Sequence, residues 1–181
     1  MDFHTHDLSS PPGEAIINLP LSWTLNPAEF HPRPMCLYSV GVHPWWTARR
    51  DELPRLLEGV RLLLGHRQVV ALGECGLDAL RGADEATQER IFMQQAAWAE
   101  EVGKPVTLHV VRRYDRILLM HKTLRPSVRW TVHGFRGKAA LARQLLAAGF
   151  DLSFGPRRNE EAWLITPPGR RHEETDGEYV P

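Results

Sequence analysis

Lys104-Pro105-Val106-Thr107-Leu108-His109 is a short run, apolar or β-branched from Val106 to Leu108, that starts behind a proline and closes on a histidine. A run of this length and composition reads as a buried strand. The same form recurs on both sides of it. Val40-Gly41-Val42-His43, Val69-Val70-Ala71-Leu72-Gly73-Glu74, Trp130-Thr131-Val132-His133 and Leu152-Ser153-Phe154-Gly155 each end in His, Glu or Gly. Met1 to His6 and Ala15 to Leu19 are two earlier, weaker members.

Helical patterns lie between these runs. Leu53, Leu56, Leu57 and Val60 recur at i, i+3, i+4 and i+7, one face of a helix. Phe92, Ala96 and Ala99 form a second face, stopped by Gly103 and Pro105. Leu141, Ala142, Leu145 and Leu146 form a third, ended by Gly149, and Ile117, Leu118 and Met120 predict a shorter helix after Tyr114. Strand–helix alternation at this spacing predicts βα units in a parallel sheet.

With a last strand near Glu174 there are eight candidates in 181 residues. The expectation is an α/β fold, a single domain over 1–181 built as a reduced TIM-type (β/α) barrel. Such barrels usually take about 250 residues, so some outer helices must be missing or short. Pro11, Pro12, Pro20, Pro27, Pro32 and Pro34 leave little room for helices between the first strands. An open doubly wound sheet is the alternative. From Thr166 onward the chain is polar, so 166–181 is a candidate for a poorly ordered tail. The last strand is expected to be weak or absent, because burying Arg170, Arg171 and Glu173 unpaired would cost several kcal/mol each.

Basic and acidic side chains balance at 22 each. A protein that holds nucleic acid through a broad basic face is therefore not expected, although a local site can still attract phosphate. No stretch approaches the ~18 apolar residues of a membrane span, and Met1-Asp2-Phe3-His4 does not open like a secretory signal. Cys36 and Cys75 are too few and too far apart for a disulfide scaffold. These features predict a reduced, soluble, cytoplasmic protein.

In parallel α/β folds ligands sit at the carboxyl ends of the strands. His4, His6, His43, Glu74, His109 and His133 all fall at such ends. His4 and His6 share a strand face, so both can reach one ion. Imidazoles with a carboxylate suit zinc or manganese, and magnesium where oxygen ligands dominate.

The residues also carry a resemblance. Phe3-His4-Thr5-His6, Gly41-Val42-His43-Pro44-Trp45 and Gly73-Glu74-Cys75-Gly76-Leu77-Asp78 follow in the order seen in TatD-like metal-dependent hydrolases. Gln88, Phe92 and Gln95, then Lys104 to His109, His133-Gly134-Phe135-Arg136-Gly137, Leu152 to Gly155 and Glu174-Thr175-Asp176 continue the series. The resemblance implies an amidohydrolase-type barrel holding one or two divalent ions. One ion would take His4, His6, Glu74 and Asp176, the other Glu74, His109 and His133. It implies hydrolysis of phosphodiester bonds of DNA, with Glu74 and Asp176 catalytic and Asp176 the base that holds the attacking water. Hydrolysis of an amide, ester or lactone is the alternative within enzymes, and a metal-binding module without turnover the alternative outside them.

His43 and Arg112 are candidates for substrate contact, His43 alternatively for packing under Trp45. Arg113 and Arg136 also follow the site histidines closely, and each can fork onto a phosphate or stand as an ordinary surface arginine. Asp78 is expected to hold a hydrogen bond behind a ligand, Cys75 to be buried and inert, and Trp45 and Trp46 to form a lid, with stacking on bases the alternative. His31, His66, His121 and His172 read as solvated.

Overall fold

Asp2–Thr5 (β1), Ala15–Asn18 (β2), Leu37–Val40 (β3), Val69–Asp78 (β4), Val106–Val111 (β5), Trp130–Val132 (β6), Asp151–Phe154 (β7) and Arg171–Glu173 (β8) are the strands of a computed structural model, which describes residues 1–177. They form one eight-stranded sheet in sequence order, and every neighbouring pair is parallel. The edges β8 and β1 are brought together by the backbone N–H of Asp176, which donates to His4 O at 3.1 Å. Thr175 adds hydrogen bonds from its N–H and hydroxyl to the Asp2 carboxylate. The sheet thus curls into a nearly closed TIM-type barrel.

The helices are Leu21–Leu25 (α1), Leu53–Leu64 (α2), Glu85–Val102 (α3), Tyr114–Leu124 (α4), Ala139–Ala147 (α5) and Glu160–Ile165 (α6). Among the described residues no helix stands between β1 and β2, and α1 and α6 are shortened, as the proline-rich start and limited length require. Strand alternation sends Val106, Leu108, Trp130, Val132, Leu152 and Phe154 outward, where all are buried with Phe92, Ala96 and Leu145. The other face carries Ser39, Thr107, Thr131, Asp151 and Ser153, also buried, so small polar side chains fill the lumen. Among the described residues no helix is long and apolar enough to cross a membrane.

α3 begins where Asp84 accepts the Thr87 N–H at 2.9 Å and ends at Gly103, whose φ of 68° is left-handed. Two glutamines on its buried face brace the rim. Gln88 accepts the Asp78 N–H at 2.8 Å and donates to carbonyls of Asp78, Arg81 and Ala83, while Gln95 accepts the Val42 N–H at 2.7 Å. Gln88 therefore fixes the end of β4, and Gln95 the end of β3.

β8 is short but present, because its charges are neutralised rather than buried alone. Arg170 donates to Asp151 at 2.9 Å, the Arg171 guanidinium lies 4.1 Å from the Trp163 ring centre, and Glu173 is exposed. Residues 166–177 are thereby tied to the barrel; residues 178–181 of the expected tail lie outside the described residues.

Candidate metal centre

Side chains on or just beyond β1, β3, β5 and β6 converge on one carboxylate, Glu74, which lies within β4. Glu74 Oε1 lies 2.7 Å from His109 Nδ1, 2.7 Å from His133 Nε2 and 3.1 Å from His43 Nε2. Its Oε2 lies 3.4 Å from His4 Nε2 and 3.3 Å from His6 Nε2. Asp176 closes the open side, with Oδ1 3.9 Å from His4 Nε2 and 4.0 Å from His6 Nε2. It reaches the site because the chain turns there through a left-handed φ of 47°.

Local backbone explains the placement of Glu74. Gly73 has a φ of 139°, and a Cβ there would meet Thr107 O at 2.5 Å, so only glycine fits before Glu74. The Glu74 N–H donates to Asn18 Oδ1 at 2.8 Å, and Ser39 Oγ donates to the same oxygen at 3.1 Å. Asn18 was missed by sequence reasoning. Its signal was present: a polar residue ending the apolar run Ala15-Ile16-Ile17, like the strand-end histidines.

Outside this ring stand two further carboxylates. Asp78 Oδ2 lies 3.1 Å from His109 Nε2 and accepts the Trp45 indole N–H at 2.7 Å. Glu174 Oε1 lies 3.3 Å from His133 Nδ1. Each of these imidazoles is bracketed by carboxylates on both nitrogens, an arrangement that fixes ring orientation. In the sequence Glu174 marks only the last candidate strand and part of a motif; its contact joins residues 41 apart.

Burial pushes the Glu74 pKa up, but the facing His133 and His43 and the bonds from His109 and His133 outweigh it and hold it well below the usual range. Burial lowers the His133 pKa, yet Glu74 and Glu174 together raise it well above the ordinary histidine value. His109 is raised in the same way by Asp78 and Glu74 against its burial. For His43 burial wins over Glu74, and its pKa falls. His43 Nδ1 accepts the Trp45 N–H at 3.1 Å, which places its proton on Nε2 toward Glu74.

The donors suit a divalent cation. His4 Nε2 is buried and has no hydrogen-bond partner among the described residues, an orphaned ligand-type atom inside the cluster. His4, His6 and Glu74 offer ligand atoms within 4.8 Å of one another, as do His4, His133 and Asp176, and His43, Glu74 and His109. Nitrogen and carboxylate donors at this density match zinc or manganese chemistry.

His43 sits within the ring and under Trp45, ring centres 4.8 Å apart, rather than out on the rim. Arg112 is exposed after β5, and among the described residues no hydrogen bond or ion pair ties its guanidinium to the cluster. Cys75 is buried, and burial with the nearby Glu74 charge pushes its thiol pKa far up, so it is inert. Three histidines depart from the solvated reading. His66 packs edge-on to Phe30, His121 lies against Trp130 and Phe150, and His172 stacks on Phe3 and pairs with Asp151. His31 is exposed as expected.

Residues 22–176 match the family model described as TatD related DNase. The chain is 36% identical over 156 residues to a Cronobacter sakazakii protein named 3'-5' ssDNA/RNA exonuclease TatD, covering 80% of this chain and 58% of the relative. It is 31% identical over 119 residues to an uncharacterized metal-dependent hydrolase, YabD, of Bacillus subtilis, covering 65% of this chain and 46% of the relative. The chain spans about half the length of the curated relatives it matches. The crystal structure of YJJV, a TatD homolog from Escherichia coli, superposes with a TM-score of 0.71 at 24% identity, covering 91% of this chain and 67% of that one. A TatD family hydrolase from Entamoeba histolytica gives the same TM-score and identity, over 90% of this chain and 60% of that one. These two share the fold.

Proposed function

This chain belongs to the TatD related DNase family, and on that premise we propose that it is a metal-dependent hydrolase of phosphodiester bonds in single-stranded nucleic acid. The observation that carries the reading is the pairing of a buried carboxylate with a reachable one. Glu74 is enclosed by imidazoles, whereas the Asp176 side chain is 34% exposed yet faces His4 and His6. Such a set both holds cations and meets a solvent molecule.

His4, His6, Glu74 and Asp176 would hold one divalent ion; Glu74, His109 and His133 would hold a second. Bound there, divalent cations polarise a phosphoryl oxygen and lower the pKa of water. The protein's own residues do the rest. Asp78 and Glu174 hold the His109 and His133 rings in register. Asn18 fixes the Glu74 backbone. Asp176 Oδ1 accepts the proton of the attacking water at the mouth, where solvent can exchange with it. Trp45, tied to Asp78, roofs the cluster beside His109 and limits bulk water there.

The test is turnover by chelated protein resupplied with magnesium, manganese or zinc. The substrates are single-stranded DNA, single-stranded RNA, bis(p-nitrophenyl) phosphate, and an amide and lactone panel. Metal-dependent cleavage of the phosphodiesters is expected. Cleavage confined to amides or lactones would replace the reading, and stoichiometric metal without turnover would leave a binding module.

A further inference from the structure

The loops that follow β6 and β7 enclose a cleft of about 150 Å³ lined by Gly134, Arg136, Gly155, Arg157, Glu174 and Asp176. Its floor is shared with the candidate metal centre through Asp176. At ~30 Å³ per water it has room for about five waters, space for a tetrahedral anion with its oxygens.

The charges of this cleft are unbalanced in one respect. Arg136 and Arg157 make no ion pair among the described residues, although two carboxylates line the same space. Both carboxylates are engaged elsewhere. Glu174 is turned to His133 and to the Gly134 N–H, which donates at 2.6 Å, and Asp176 faces His4 and His6. Two arginines nearby are paired instead, Arg113 with Glu85 and Arg158 with Glu160. Two open guanidinium forks at one cleft are suited to a phosphate, which they can grip with several donors at once. The chain as a whole is neutral, so this is a local seat and not a broad basic face.

We propose that Arg136 and Arg157 bind the phosphate next along the strand from the scissile one, so that the substrate is a polynucleotide and not an isolated phosphodiester. This rests on the phosphodiesterase reading above. It also gives that reading a direction, because the backbone must leave the metal centre over the β6 and β7 loops.

The experiment compares the parent with the double variant Arg136→Gln, Arg157→Gln. Both side chains are exposed, so the variant should retain its melting temperature. In manganese, the KM for a short oligothymidylate is expected to rise about tenfold more than that for bis(p-nitrophenyl) phosphate, the scale of losing charge-assisted contacts. A KM ratio within twofold of the parent would overturn the proposal. A second arm measures fluorescence anisotropy of labelled oligothymidylate in EDTA, where no turnover occurs. Weaker binding by the variant is expected there, with a log–log salt slope shallower by about 0.7 per lost phosphate contact. Equal binding, or none by the parent, would overturn it. Failure of the parent to cleave either substrate would instead sink the phosphodiesterase reading, leaving the anisotropy arm to decide the phosphate seat.

Discussion

Glu174 Oε1 lies 3.3 Å from Nδ1 of His133, while Nε2 of the same ring faces Glu74 at 2.7 Å. The Glu174 carboxylate holds the proton on Nδ1 and so keeps Nε2 turned to the cluster centre. Burial raises its own pKa, but the bond and charge of His133 prevail and keep it ionised. On the proposed reading it is a positioning residue that acts through His133.

Replacing it tests that role. Glu174→Gln keeps the shape and loses the charge, and metal affinity should fall about 10- to 100-fold, as for other partners placed behind metal ligands. Calorimetric titration of chelated protein with zinc or manganese reads this directly. An unchanged affinity would show that the His133 orientation is set by packing alone.

Asp176→Asn should lower the rate at least ~10²-fold if the proposed mechanism holds, since it would remove both a ligand charge and the proton acceptor. The side chain is partly exposed, so stability should hardly change. Rates on the cleaved substrate and a melting curve separate the two effects. A loss below threefold would remove Asp176 from the mechanism.

His4→Ala with His6→Ala removes two of the imidazoles that face Glu74 Oε2. Elemental analysis of protein purified without chelator should show at least one ion fewer per chain than in the parent, with turnover abolished and a circular dichroism spectrum near that of the parent. Full metal content in the variant would move the ion elsewhere.

Acid should weaken the base of the barrel. Burial raises the Asp151 pKa, but His172, Arg170 and Arg129 together hold it below the usual 3.8. The folded chain then binds this proton less readily than the unfolded chain. Its contribution is present above 3.8 and is lost as pH falls through the lower folded value. Asp151→Asn should cost about 2 kcal/mol at neutral pH, and the gap to the parent should close in strong acid. Urea midpoints at both pH values check this; a gap independent of pH would assign the stability to packing.

Much of the architecture is written locally along the chain. Strands, their order and the histidines at their ends are local properties, because period-two alternation and a terminal polar residue are encoded within five or six neighbouring positions. The last strand is harder to read. Arg170-Arg171-His172-Glu173 looks non-strand on composition, and forms one because Asp151, Trp163 and Phe3 offer partners that composition does not contain. The misread His66, His121 and His172 share that cause: polar neighbours in sequence, aromatic neighbours in space.

The sequence alone determined parallel βα units that carry His4, His6, His43, Glu74, His109 and His133 toward one end of the sheet, since all the strands run in one direction. Tertiary structure decided what those residues face. Glu74 at the centre, His43 inside the ring under Trp45, Asp78 and Glu174 behind the imidazoles, and the Arg136–Arg157 cleft all depend on contacts between distant segments. Such contacts follow from barrel closure and strand register, which no single stretch of chain encodes.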